Sequence, residues 1–350
     1  MKKKIIKFFF QILILGMVIL CGLEGNVINT VQAEQTNFTL IVLPDTQEYT
    51  YHSNHNSIFY SQTQWIWNNK DMLNIVVVSG EGDIVSFPTD GEYSVANQAY
   101  STLETSYTGH PDGIPYAIPP GNHDHGDETD PTLIKYNQYF GISRFTGRDY
   151  YGGHYSTTNN NSYILFDTSG MSFIAIALDY NSSTVVLNWA DDLLQMYSNR
   201  RAIVIEHCIL DVDASWEENG QTIYDTLKDN PNLFLMLCGH MHGENRRIET
   251  YNGNTVNILL ANYQAYSNGG NGYLRIMTFY PATNRIQVKT YSPYVNLYET
   301  DADSQFNLTY DMNPPEQSVI INKKNTLGFE LIIVVCAIAL LLLWERKRTL

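Results

Sequence analysis

Short apolar runs, each ended by Gly, Pro or charge, recur along this chain. Thr39-Leu40-Ile41-Val42-Leu43 runs into Pro44, Asn74-Ile75-Val76-Val77-Val78 into Ser79-Gly80, and Tyr116-Ala117-Ile118 into Pro119. Ala202-Ile203-Val204-Ile205 and Leu233-Phe234-Leu235-Met236-Leu237 repeat the pattern further on. Runs of this length, bounded in this way, read as buried strands. Between them, a 3–4 residue apolar spacing predicts helices over Ser57–Lys70, Val95–Tyr107, Leu133–Phe140 and Thr184–Tyr197. Tyr150 to Leu178 reads as strands, around Tyr163-Ile164-Leu165-Phe166 and Phe173–Leu178. After Gly243 come Arg246–Thr250, Thr255–Leu260, Gly272–Phe279 and Arg285–Tyr291, with Asn252-Gly253 as a hairpin signal. Strands alternate with helices early and dominate late. That order predicts an α/β fold of two packed sheets flanked by helices.

Composition adds charge and topology. The 350 residues are 44% hydrophobic, enough for a sizeable core, and carry a formal net charge of −15. Residues 34–322 alone hold 12 basic and 33 acidic groups, or −21. A body this acidic repels phosphate backbones, so no nucleic-acid binding is expected. Lys2, Lys3, Lys4 and Lys7 precede an apolar stretch from Phe8 to Cys21, and Val31-Gln32-Ala33 is a small-residue cleavage pattern. Residues 1–33 therefore read as a signal peptide. Asn313 to Thr326 is a polar stalk, residues 327–344 an apolar transmembrane or sorting segment, and 345–350 a basic tail expected in the cytoplasm. This predicts a single-pass protein of the cell membrane whose body, residues 34–312, faces outside. Of four cysteines only Cys208 and Cys238 lie in the body, too few for a disulfide framework.

The chemistry stands just past the strand ends. In open α/β sheets, sites form beyond the carboxyl ends of strands. Here those ends deliver Asp45, Asp83, Asn122, His207 and His240-x-His242 to one rim. Carboxylates, an amide and imidazoles suit divalent cations.

In order, Asp45-Thr46-Gln47, Gly82-Asp83, Gly121-Asn122-His123-Asp124, His207 and Gly239-His240-Met241-His242 resemble the motifs of the calcineurin-like metallophosphoesterases. The resemblance runs from about Thr39 to Tyr291. It implies a sandwich of two mixed β-sheets flanked by helices, α/β/β/α, and metal-dependent hydrolysis of phosphate mono- or diesters. It implies two divalent metal ions, manganese, iron or zinc. Asp45, Gln47, Asp83 and His242 would hold one, and Asp83, Asn122, His207 and His240 the other, with Asp83 bridging. His123 matches the catalytic histidine, which would stabilise or protonate the leaving oxygen while Asp124 holds its ring. Gln47 departs from the pattern, since the family most often has His there. A neutral amide oxygen is a harder donor than imidazole and shifts preference from zinc toward manganese or magnesium-like ions. A catalytically weak binding or adhesion protein on the same scaffold is the alternative reading.

Overall fold

The computed structural model describes residues 36–125 and 133–313. The predicted signal peptide, apolar segment and basic tail lie outside these residues, as does the stalk beyond Asn313. Among the described residues, no helix is long and apolar enough to cross a membrane. The chain divides into a compact unit ending at Asp311 and a second unit, Met312–Leu350, of which only Met312 and Asn313 are described.

The compact unit holds fourteen strands among the described residues. They are β1 (Phe38–Leu43), β2 (Ile75–Gly80), β3 (Tyr116–Ala117), β4 (Tyr151–His154), β5 (Ser162–Thr168), β6 (Met171–Ala177) and β7 (Arg201–Ile205). Then follow β8 (Leu233–Cys238), β9 (Gly243–Tyr251), β10 (Asn254–Asn262), β11 (Leu274–Tyr280), β12 (Arg285–Ser292), β13 (Leu297–Glu299) and β14 (Gln305–Thr309). They form two mixed sheets. One runs β13-β12-β11-β1-β2-β3, with β14 also on β12; the other runs β4-β5-β6-β7-β8-β10-β9. β1, β2 and β3 are mutually parallel, as are β6, β7, β8 and β10.

Both faces of the central strands are covered, so β1 and β8 are buried at every position. On one side of the second sheet, Ile174, Ile176, Val204 and Met236 pack against Leu187, Ala190 and Leu194 of the helix Thr184–Met196 and Ile223 and Leu227 of the helix Glu218–Leu227. Between the sheets, Phe38 of β1 and Phe279 of β11 meet Phe173 of β6 and Phe234 of β8 at centroid distances of 5.6–6.4 Å. Each buried phenyl contributes about 1.5–3 kcal/mol. Phe38, Phe173 and Phe234 stand near the starts of parallel strands. The aromatic cluster therefore closes one end of the sandwich and leaves the strand C-termini at the other.

The predicted helices and late strands form with shifts of a few residues at their ends. Asn252 and Gly253 both have positive φ, 49° and 84°, as the β9–β10 turn requires. Two helical features differ from the periodicity. The helix expected at Val95–Tyr107 spans Asp90–Leu103, because Thr89 Oγ1 caps it by accepting the Glu92 N–H. The helix Glu218–Leu227 has no counterpart in the sequence reading; its buried stripe is only Gly220, Ile223, Tyr224 and Leu227.

Candidate metal centre

Seven strands, parallel within their sheets, point their carboxyl ends at one rim, where Asp45 follows β1, Asp83 follows β2, His207 follows β7 and His240 follows β8. Two of these residues sit in left-handed backbone, Asp83 at φ 45° and His240 at φ 64°. Non-glycine residues adopt that region at a cost, and it recurs at functional sites. The glycines before them are fixed by what lies against them. A Cβ at Gly239 would stand 2.0 Å from Asp45 Oδ1, one at Gly121 2.3 Å from Asp83 Oδ1, and one at Gly82 2.6 Å from His207 Nδ1. Each motif glycine is thus the gap that lets a polar side chain from another strand end approach.

Four donors converge at His207. Its Nδ1 faces the Glu81 carbonyl at 2.8 Å, which turns Nε2 toward the rim. Around that nitrogen lie Asn122 Oδ1 at 3.0 Å, Asp83 Oδ2 at 3.2 Å and His240 Nδ1 at 3.2 Å. Ligand atoms about 2.1 Å from a tetrahedral ion stand about 3.4 Å apart, so this spacing fits one divalent cation. Among the described residues, Asp83, His207 and His240 place their ligand atoms within 4.8 Å of one another.

The electrostatics of the cluster favour a cation. Burial opposes charge on His207, but Asp83 and Asp45 outweigh it and push the imidazole up to about 10. Asp83 in turn stays below the usual carboxylate range despite its burial, chiefly through His207. Burial pushes Asp45 up to about 8, and burial together with the His207 charge takes His240 down to about 4. A proton on His207 balances buried carboxylate here, and a metal ion would compete for that place.

Asp45, Gln47, Asp83 and His242 are arranged differently. They are linked through hydrogen bonds rather than gathered about one point. Gln47, the first residue of the short helix Gln47–Tyr51, donates from Nε2 to Asp83 Oδ2 at 3.2 Å and to Gln264 Oε1 at 2.7 Å. Gln264 Nε2 in turn meets exposed His242 Nε2 at 2.6 Å. Asp45 accepts from the His240 N–H and from Asn262 Nδ2 at 2.8 Å. Gln47 Oε1 is buried without a hydrogen-bond partner, an orphaned acceptor that a cation would satisfy.

Asn262 and Gln264, at and just past the end of β10, escaped the sequence reading. The strand-end rule applied to β10 would have pointed to them, but amides carry no motif. Asp124 requires a correction. Its carboxylate accepts from the N–H groups of Gly121 and Ile84 and from Tyr93 Oη, not from the His123 ring. Those buried donors consume both oxygens, so Asp124 ties the Asp83 turn to the Asn122 turn. The His123 ring is held instead by the Ser86 carbonyl, 3.1 Å from Nδ1. His125 pairs with Asp179 at 2.8 Å on the same rim. Cys208 and Cys238 are buried free thiols.

No protein-family model matches the chain. It is 33% identical over 292 residues to the uncharacterized protein YvnB of Bacillus subtilis, covering 79% of this chain and 22% of that one. It is 26% identical over 140 residues to a probable cyclic nucleotide phosphodiesterase of Psychrobacter arcticus, covering 39% of this chain and 48% of the relative. The chain thus spans less than half the length of either relative. A dimetal phosphatase of Danio rerio superposes with a TM-score of 0.50 at 10% identity, covering 78% of this chain and 99% of that one. With its ordered motifs at the ends of parallel strands in two facing mixed sheets, the chain has the fold of the calcineurin-like phosphoesterases.

Proposed function

We propose that this protein hydrolyses phosphate mono- or diesters with a dinuclear divalent-metal centre at the rim, its body outside the cell membrane. The observation that carries the reading is the convergence of Asn122, Asp83 and His240 on His207 Nε2. Asn122, Asp83, His207 and His240 would hold one ion; Asp45, Gln47, His242 and the shared Asp83 would hold the other. When bound, such ions polarise the phosphoryl oxygens and activate the attacking water. The chain's own part is positioning. Asp83 is fixed from both sides by the His123 N–H at 2.9 Å and by Gln47. His123 is exposed, and with Nδ1 committed to Ser86 its Nε2 is the atom left to give a proton to the leaving oxygen.

The test is elemental analysis after manganese reconstitution, with a screen of monoesters and diesters. About two ions per chain and metal-dependent turnover are expected. Metal without turnover would favour the binding-protein alternative, and reproducibly no metal would sink the reading. For location, protease added outside intact cells should digest the body; a protected body would overturn it.

A further inference from the structure

Two exposed aromatic side chains stand beside this rim, and the function above does not use them. Tyr51 and Phe87 are each about half exposed, at 51% and 52%, and their rings lie 5.6 Å apart, tilted by 60°. The two rings brace each other, and Tyr51 also lies edge-on to His52 at 4.7 Å, which leaves an open aromatic corner. Their attachment is what gives the pair meaning. Tyr51 lies four residues after Gln47 on the same short helix, hence on the same face one turn away. Phe87 directly follows Ser86, whose carbonyl holds the His123 ring. The corner of the two rings is therefore tethered to a metal-site residue on one side and to the proton-donating histidine on the other.

The corner is also built to hold its shape. Glu92 is buried, and its Oε2 accepts from the Ser86 N–H at 2.9 Å, the Phe87 N–H at 3.2 Å and Thr50 Oγ1 at 3.4 Å. One carboxylate thus pins both segments that carry the rings, at Thr50 next to Tyr51 and at Phe87 itself.

Resting on the reading that His123 protonates the leaving oxygen, we propose that Tyr51 and Phe87 form a leaving-group subsite for a planar ring, so that the preferred esters are those of ring-bearing alcohols such as nucleosides. A planar ring stacks on one side chain of such a corner and meets the other edge-on. Stacking of this kind tolerates different bases and does not require base-edge hydrogen bonds.

The test compares adenosine 5′-monophosphate and benzyl phosphate with ribose 5-phosphate, on the metal-reconstituted protein. All three release a primary alcohol, so the reacting bond is alike and the ring is what differs. Both ring-bearing esters should show roughly tenfold higher kcat/KM, through KM. In the Tyr51→Ala/Phe87→Ala double variant that preference should fall to near one. A preference for the nucleotide but not for benzyl phosphate would narrow the ring to a nucleobase. Equal wild-type kcat/KM for all three, or a preference that survives both substitutions, would overturn the proposal. If no ester is hydrolysed with any metal, the catalytic reading fails instead. Saturation-transfer NMR of adenosine with chelator present then decides the subsite: a signal lost in the double variant supports it, and no signal overturns it.

Discussion

Asn262 Nδ2 lies 2.8 Å from Asp45 Oδ2 and 2.9 Å from the His240 carbonyl, so one buried amide ties the first motif to the last. Its own Oδ1 accepts the Gln264 N–H at 2.9 Å. Asn262→Ala leaves a buried carboxylate and a partly buried carbonyl short of a donor. The expected cost is about 1–3 kcal/mol in chemical denaturation, together with reduced metal retention. Wild-type stability and metal content would show that Asp45 is held by other means.

Variants of Asp83 and His123 test the proposed ligand and catalyst roles separately. Asp83→Asn should lower both metal content and activity, because the carboxylate faces both predicted ion sites. His123→Ala should retain metal and fold and lose turnover. Elemental analysis beside kinetics distinguishes the two, and an emptied site in His123→Ala would make that histidine a ligand.

Gln47 has an orphaned acceptor and donates to an amide and a carboxylate. Gln47→His should tighten the first ion and move the best-supporting metal from manganese toward zinc or iron. The gain is limited by Gln264, which is placed to pair with an amide. Activation curves for manganese and zinc in both proteins check this. Identical curves would remove position 47 from the ligand set.

Gly239→Ala would drive a methyl group to 2.0 Å from Asp45 Oδ1. The carboxylate must move, so metal affinity should fall by at least tenfold while far-UV circular dichroism stays native. Unchanged affinity in a calorimetric titration would mean that Asp45 does not contact the ion.

The thiols of Cys208 and Cys238 are both pushed up by burial, so neither is a nucleophile in the native state. Iodoacetamide should label neither until the protein is denatured. Rapid native labelling would indicate that the layer between the second sheet and its helices opens readily.

Much of the rim was legible in the sequence, because parallel buried strands leave their polar rim residues soon after an apolar run. Asp83, Asn122, His207 and His240 announce themselves in that way. Asn262 and Gln264 do not, since an amide after a strand is ordinary turn chemistry and only β10 pairing parallel to β8 brings them to the site. The role of Asp124 was misread for a related reason. The family resemblance implies a side-chain partner for His123, whereas the backbone donors that claim Asp124 come from Gly121 and from Ile84 on another turn. The helix Glu218–Leu227 was missed because a short helix needs few apolar positions to dock, and a window of ten residues with three of them shows little period.

The left-handed backbone at Asp83 and His240 sets an order of events in the native state. Each such residue costs of order 1–3 kcal/mol, held in place by the strand ladders behind it. The rim therefore opens before the sheets do, as a sub-global excursion that amide hydrogen exchange would register at these turns while β1 and β8 stay protected. An ion held by the same residues would act as a latch on that excursion, so loading the centre should slow exchange locally and leave the rest of the molecule nearly unchanged.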